Sequence, residues 1–315
     1  MENPLISIIV ITYNSAKYVL ETLESVRRQT YSNIELIITD DGSTDNTVEI
    51  CRGWLSEAGK HFSRAELITS SCNTGIPANA NRGYKIAQGK WIKGIAGDDV
   101  LKEDAIEQFL KKYDGDCYLV ATSYQELLVK SNGEYVCSDE IFPSKKDIAV
   151  YRLPVEKQYK KILWYCFVPA PTTFLRRDLF EKVGYFDEQY YLMEDWPFWL
   201  KCIERGYKID FLPIVTVYYR RYQESVTGHN STIFYNESFY QIEQSFIKEK
   251  IYPRVSAFNL LYWNDQLIIK FKHFVLHSIL RNRRSVITRF VALCISLMSP
   301  YQVKRIVSRI FSKCS

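Results

Sequence analysis

A chain of 315 residues, 47% hydrophobic and 24% charged, can bury a sizeable core in one large α/β domain with an appendage, which excludes a disordered or low-complexity protein. Its formal charge of +5 conceals a split: residues 266–315 hold ten Lys/Arg and no Asp or Glu, leaving 31 basic against 36 acidic residues, a net of −5, in residues 1–265. An acidic body repels nucleic-acid phosphates, so no nucleic-acid partner is expected, while a basic tail suits an anionic surface.

Met1–Pro4 runs directly into an apolar stretch without a basic n-region, so no signal peptide is expected. Leu5–Thr12 is a continuous β-branched run, as suits a strand buried on both faces of a parallel sheet. Tyr13-Asn14-Ser15 reads as a turn, with Ser15 a candidate cap for a helix that buries Val19, Leu23 and Val26 on one stripe. Ile34–Thr39 is a second buried strand ending in Asp40-Asp41-Gly42-Ser43, and Thr44–Thr47 starts another helix. Ala78–Gln88 reads as a helix stopped by Gly89, and Lys90–Ala96 as a strand ending at Gly97-Asp98-Asp99. This β-α-β-α-β-α order predicts a doubly wound sheet whose ligands bind beyond the carboxyl ends of the strands.

Later elements are less regular. Leu119–Val129 and Glu134–Cys137 read as strands about an Asn132-Gly133 turn, Pro154–Cys166 as helical, and Thr172–Arg176 as a strand before a short helix at Asp178–Val183. Glu194-Asp195 opens a helix over Trp196–Arg205, and Lys208–Phe211 and Val215–Arg220 read as two further strands. In the tail, Leu267, Phe271, Phe274 and Ser278 share a helical face. Val286–Met298 is apolar but shorter than the ~20 residues that cross a bilayer. Gln302–Phe311 carries Lys304, Arg305 and Arg309 away from its apolar side. Such acid-free amphipathic segments suit an anionic membrane surface; packing on protein or on a second copy of the chain is the alternative. The eight scattered cysteines form neither a CxxC pair nor a zinc spacing, and the Asn230 and Asn236 sequons carry no weight without export.

Three acidic pairs stand out. Asp98-Asp99, beside Gly97, has the character of a hard-cation site for Mg²⁺ or Mn²⁺, with helix capping the plainer alternative. Asp40-Asp41 offers acceptors for a nucleobase N–H or for a helix start. Glu194-Asp195 lies between Tyr191-Leu192-Met193 and Trp196-Pro197-Phe198-Trp199, an apolar setting that tunes a carboxylate for base work, though acids also favour any first helical turn.

In order along the chain, Ser7–Asn14, Asp40–Asp45, Asn73-x-Gly75, Asn81-x-Gly83, Gly89–Ile92, Gly97–Asp99, Gly184–Glu188 and Glu194–Trp196 resemble the family 2 glycosyltransferases, over roughly residues 5–225. The resemblance implies a GT-A fold: a doubly wound mixed sheet with a nucleotide-sugar-binding half at 1–100 and an acceptor-side half at 101–225. A helical appendage would follow at 226–315. It implies an inverting transfer from a nucleotide sugar, expected to be a UDP-sugar, to a saccharide or lipid-linked acceptor in surface polysaccharide or glycolipid synthesis. Carried over by position, Thr12, Tyr13, Asn14, Asp40, Asp41 and Asn81 would hold the nucleotide. Asp98 would meet the ribose and the metal, Asp99 would ligate Mn²⁺ or Mg²⁺, Asp195 would be the base, and Glu194 would assist it. The chain departs from the pattern at Ala96, where many members have Asp, and at Ala80, where an Arg is common; Arg220 and Arg221 are candidate replacements or merely a solvated strand end. The expected place is the cytoplasm, peripheral on the inner face of the cell membrane, with a homodimer through the C-terminal helices as a further expectation. A catalytically degraded nucleotide-sugar-binding or scaffolding protein is the rival. A sugar-phosphate nucleotidyltransferase would want a glycine-rich loop where Thr12–Ser15 stands.

Overall fold

The structure, a computed structural model, describes residues 3–129, 135–222, 236–255 and 259–311. In chain order these form β1 (Ile6–Thr12), α1 (Val19–Arg27), β2 (Ile34–Asp40), α2 (Thr47–Ala58), β3 (Arg64–Thr69), α3 (Ile76–Ile86), β4 (Trp91–Ala96), β5 (Val100–Leu101) and α4 (Ala105–Lys112). Then come β6 (Leu119–Val129), β7 (Tyr135–Phe142), α5 (Lys145–Ile148), α6 (Val155–Ile162), β8 (Thr173–Arg176), α7 (Arg177–Val183), α8 (Asp195–Glu204) and β9 (Ile209–Arg220). Five helices close the chain: α9 (Glu237–Phe246), α10 (Tyr252–Val255), α11 (Asn259–Phe274), α12 (Val286–Ser296) and α13 (Pro300–Phe311).

The strands make one mixed sheet in the order β3-β2-β1-β4-β8-β6-β9-β5, with β7 paired to β6. Its first four strands are parallel and doubly wound. The continuous apolar runs are the reason: Ile6, Ile8, Val10, Ile34, Leu36 and Ile38 are fully or almost fully buried, each contributing about 1.5–3 kcal/mol by burial. The expected stripe of α1 is buried at Val19, Leu23 and Val26. Ser15 is not its side-chain cap, however, because its Oγ bonds within the loop to Tyr13 O while its carbonyl accepts the Tyr18 and Val19 amides.

Two strands were not anticipated, the two-residue β5 and the longer β3. In β3, Arg64 and Glu66 interrupt the apolar pattern, since an edge strand is only half covered and tolerates paired charges. The two strands expected at 208–220 are one, β9, in which a bulge against β6 absorbs Leu212, Pro213 and Ile214. The helix expected to Cys166 stops at Ile162, and β7 extends to Phe142. The Asn132-Gly133 turn, Glu134, Asn230 and Cys314 lie outside the described residues. Asn236 caps α9, its Oδ1 accepting the Phe239 amide at 3.2 Å.

Beneath the sheet's first half sits a buried carboxylate. Glu35 in β2 accepts Ser7 Oγ, the Gln88 amide and the Gly89 amide, and pairs with Arg64 at 3.3 Å. It locks β1, β2 and the turn before β4 together at their amino-terminal ends.

The chain divides into two compact units, Met1–Tyr159 with Phe167–Arg220, and Lys160–Cys166 with Arg221–Ser315. Within the second, Arg305 corrects the sequence reading: it is not on a solvated face but only 11% exposed, paired to Glu243 and donating to Trp164 O at 3.1 Å. The predicted apolar face of α11 points outward, with Leu267, Phe271 and Phe274 between 51% and 67% exposed. Among the described residues no single helix is long and apolar enough to cross a membrane.

Candidate functional site

The carboxyl ends of β1, β2 and β4 form one rim, and nearly all the candidate residues gather there. Asp41 N–H donates to Thr12 O at 3.1 Å, and Gly97 N–H to Ile11 O at 2.8 Å, so the three loops are stitched together by backbone. A side chain at Gly97 would collide with Thr12 Cγ2 at 2.7 Å, which is why a glycine precedes the aspartates.

Asp40 and Asp41 are both buried and both saturated. Asp40 accepts Thr12 Oγ1 at 2.8 Å, Ser43 N–H at 2.8 Å and Ser43 Oγ at 2.5 Å. Asp41 accepts Thr74 N–H, Thr74 Oγ1, Gly75 N–H and the Arg82 guanidinium at 2.5–3.0 Å. Asn14 takes a left-handed conformation (φ 49°), and its Oδ1 accepts the Thr44 amide at 2.8 Å, which folds its loop onto the next. Tyr13 stands out from this framework, 45% exposed, with its ring available to stack on a base.

Asp98 and Asp99 are treated differently. Asp98 is partly exposed, whereas Asp99 is 1% exposed. Asp99 Oδ1 accepts the Arg220 amide at 2.9 Å, but Oδ2 is buried without any hydrogen-bond partner. Burial and then the neighbouring Asp98 push the Asp99 carboxyl well above the usual carboxylate range, against the pull of Arg220 and Lys93. Lys93, fully buried in β4, donates to Pro171 O, and burial lowers its ammonium to about 7.

The fit to a divalent cation rests on that orphaned oxygen, a hard acceptor with no internal donor beside a second carboxylate. Among the described residues no group of three or more His, Cys, Asp or Glu side chains is placed to hold an ion. Most of a coordination sphere here would come from ligand oxygens and water.

Arg220 is the residue that sequence reasoning placed wrongly. It is not a solvated strand end but 1% exposed at the end of β9. Its Nε donates to Asp98 O at 2.7 Å, its guanidinium pairs with Glu21 at 2.5 Å, and the rings of Tyr18 and Tyr135 lie 4.6 and 4.2 Å from it. It clamps the aspartate loop from below. Arg82, two residues after the position where the sequence lacks the expected arginine, pairs with Asp41.

The segment that leads to the third acidic pair docks on the amino-terminal end of α3, beside the Gly75 amide that Asp41 holds. Tyr191 O accepts the Ile76 amide at 2.7 Å, and Gly75 (φ 97°) leaves no room for a Cβ against that carbonyl. Asn81, expected at the nucleotide, is instead a strut: buried, it exchanges bonds of 3.0 Å with the Phe186 backbone and donates to Glu188 at 2.7 Å. Asp195 begins α8, and its Oδ1 accepts the Trp196 amide at 2.6 Å. Burial and then the Asp195 charge raise Glu194 to about 8, so Glu194 keeps its proton at neutral pH.

Residues 7–184 match the model of glycosyl transferase family 2. An uncharacterized glycosyltransferase of Haemophilus influenzae is 28% identical over 254 residues, 80% of this chain and 75% of the relative. The Escherichia coli UDP-Glc:alpha-D-GlcNAc-diphosphoundecaprenol beta-1,3-glucosyltransferase WfaP is 28% identical over 225 residues, 71% of this chain and 80% of the relative. Among solved structures, Staphylococcus aureus TarS 1–349 in complex with UDP-GlcNAc aligns with a TM-score of 0.57 at 19% identity, covering 98% of this chain and 89% of that one. At that identity the likeness establishes the shared GT-A fold.

Proposed function

The chain belongs to glycosyl transferase family 2, and from that premise we propose that it moves a sugar, with inversion, from a nucleoside diphosphate sugar to an acceptor hydroxyl in surface polysaccharide or glycolipid synthesis. The observation that carries this reading is the gathering of Asp40-Asp41 and Asp98-Asp99 on one rim of the sheet, with the segment that leads to Glu194-Asp195 docked at the start of α3 beside them. Residues 1–225 do this work, with 226–315 as an appendage.

Thr12, Tyr13, Asn14, Asp40 and Asp41 shape the nucleotide end, the aspartates as the frame and Tyr13 as the exposed ring. Asp98 and Asp99 would hold Mn²⁺ or Mg²⁺, which neutralises charge on a departing diphosphate. Asp195 takes the proton of the acceptor hydroxyl as its oxygen attacks the anomeric carbon opposite the leaving group. Glu194, protonated at neutral pH, places no second negative charge beside Asp195. A single displacement needs one base and no carboxylate nucleophile. UDP-sugar as donor and a lipid-linked acceptor are supported by the printed activity of WfaP, and UDP-GlcNAc bound to TarS by the fold. The basic tail and its outward apolar residues support a peripheral place on the cytoplasmic face of the membrane, with pairing of C-terminal helices as the alternative use of the same surface.

The test is Asp195→Asn. Donor binding should persist while transfer, followed as release of nucleoside diphosphate in the presence of acceptor, falls at least ~100-fold. A variant that turns over at the wild-type rate removes Asp195 from the mechanism, and a product of retained anomeric configuration removes the inverting displacement.

A further inference from the structure

The second compact unit contains a cavity of about 350 Å³ that plays no part in the transfer reaction described above. It is walled by α9, α11, α12 and α13, and three cations reach it: Lys272, Arg289 and Arg305. One carboxylate, Glu243, reaches it too, and it is already committed to Arg305. Lys272 is half-buried and donates to the neutral Ser296 hydroxyl at 2.8 Å; among the described residues it makes no ion pair. Burial and then the nearby Arg305 lower its ammonium below the usual range, against the partial pull of Glu243 and Asp265. Arg289 lines the cavity with an exposed side chain. Gln244 also lines the cavity, and its Oε1 is buried without a hydrogen-bond partner. The cavity therefore presents a surplus of positive charge, hydrogen-bond donors from Lys272 and the arginines, and one acceptor that lacks a donor.

Burying a cation is costly, and Glu243 and Asp265 offset that cost for Lys272 only in part. The complement is an anion with several acceptor oxygens plus a hydroxyl for Gln244. Phosphate groups match guanidinium and ammonium donors in charge and geometry. The volume corresponds to about twelve waters at ~30 Å³ each, too large for a bare phosphate and suited to one with an organic substituent. Leu293, on the cavity wall, continues outward along α12 into Phe290 and Leu297, which are 67% and 53% exposed, so a ligand seated here would have an apolar surface beside its mouth.

We propose that this cavity is a binding site for a phosphate ester carrying a hydroxylated substituent, the chemistry of both a soluble polyol phosphate and a phosphatidylglycerol headgroup. The site goes beyond the transfer reaction and does not require the tail to lie on a membrane. The experiment uses the full chain and the variants Lys272→Met and Arg289→Gln, the second at an exposed side chain whose loss leaves the packing intact. Binding of sn-glycerol phosphate is measured by calorimetry, and binding to vesicles of phosphatidylcholine with or without phosphatidylglycerol by flotation. Each substitution should weaken binding by about tenfold, as expected for one charge-assisted contact, with thermal unfolding and donor binding unchanged for Arg289→Gln. Binding of the soluble ester alone assigns the site to a soluble ligand; binding in both arms, or to phosphatidylglycerol vesicles alone with loss in the variants, assigns it to a lipid headgroup. The proposal is overturned if neither probe binds, or if Arg289→Gln and Lys272→Met bind both probes as the wild type does, which would leave only diffuse attraction by the basic helices.

Discussion

Asp40-Asp41 and Asp98-Asp99 are the same dipeptide at the carboxyl ends of the two strands that flank β1, yet the fold treats them in opposite ways. The first pair receives seven donors between its two carboxylates, so its charge is fully absorbed by the protein. The second keeps Asp99 Oδ2 buried and unbonded, with the carboxyl pushed upward by burial and by Asp98. A saturated carboxylate builds a loop; an unsatisfied one is held in readiness for something absent from the chain. Counting donors therefore separates frame from chemistry where residue type and position do not.

The largest test of this contrast is Asp99→Asn. Turnover should fall by about 1000-fold or more, the several kcal/mol that a bound cation contributes, and metal-dependent donor binding should vanish in calorimetry. The thermal midpoint should not fall, because the lost charge was disfavoured by burial. Turnover that survives both the substitution and a chelator would return Asp99 to a structural role.

Asp41→Ala should show the reverse profile. Removing a buried carboxylate that pairs with Arg82 and three further donors should cost about 3–5 kcal/mol in urea unfolding. Asp41→Asn should cost less, since an acceptor oxygen remains. If Asp41→Ala unfolds at the wild-type denaturant concentration and loses only donor affinity, the division into frame and chemistry is wrong.

Glu194-Asp195 extends the comparison to a third pair and predicts the smallest effect. The folded value near 8 stands above the ordinary 4.5 of a glutamate, so the unfolded chain ionises first. Stability should therefore decline as pH rises from about 4.5 to about 8, and the loss should be complete above that range. Glu194→Gln should flatten this decline, with little difference at pH 4 and a higher melting temperature than wild type at pH 8, while reducing transfer less than Asp195→Asn does. Parallel stability curves for the two proteins would show that Glu194 is not held neutral.

The parallel half of the sheet was readable because strands buried on both faces must be apolar throughout: β1, β2 and β4 were placed to within a residue or so. The edge strand β3 was not, since half-covered residues carry no such pattern. Site roles came from the ordered resemblance rather than from any single pair. Missed were Glu35 inside an apolar run and Lys93 inside another, while Arg220, named as a candidate at the end of a third, was given a solvated place it does not have. Each left a signal, a charge in the middle or at the end of a stretch that must be buried, which requires a partner. What no pattern supplied was the partner's identity, because Asp98, Glu21 and Gly89 lie far away along the chain. Asn81 failed for the same reason, being consumed by a loop more than 100 residues later.

Glu35 closes the sheet at its amino-terminal end, five residues along β2 from Asp40 and so about 16 Å from the rim. The anchorage of the fold and its working surface are thus held by different atoms. Rim loops can lengthen, shorten or change their side chains without touching the carboxylate that fastens the strands. A protein built this way is easily repurposed: new donor or acceptor preferences can be grafted onto the rim by exchanging loops, and the resulting chimaeras should still fold around the same buried latch.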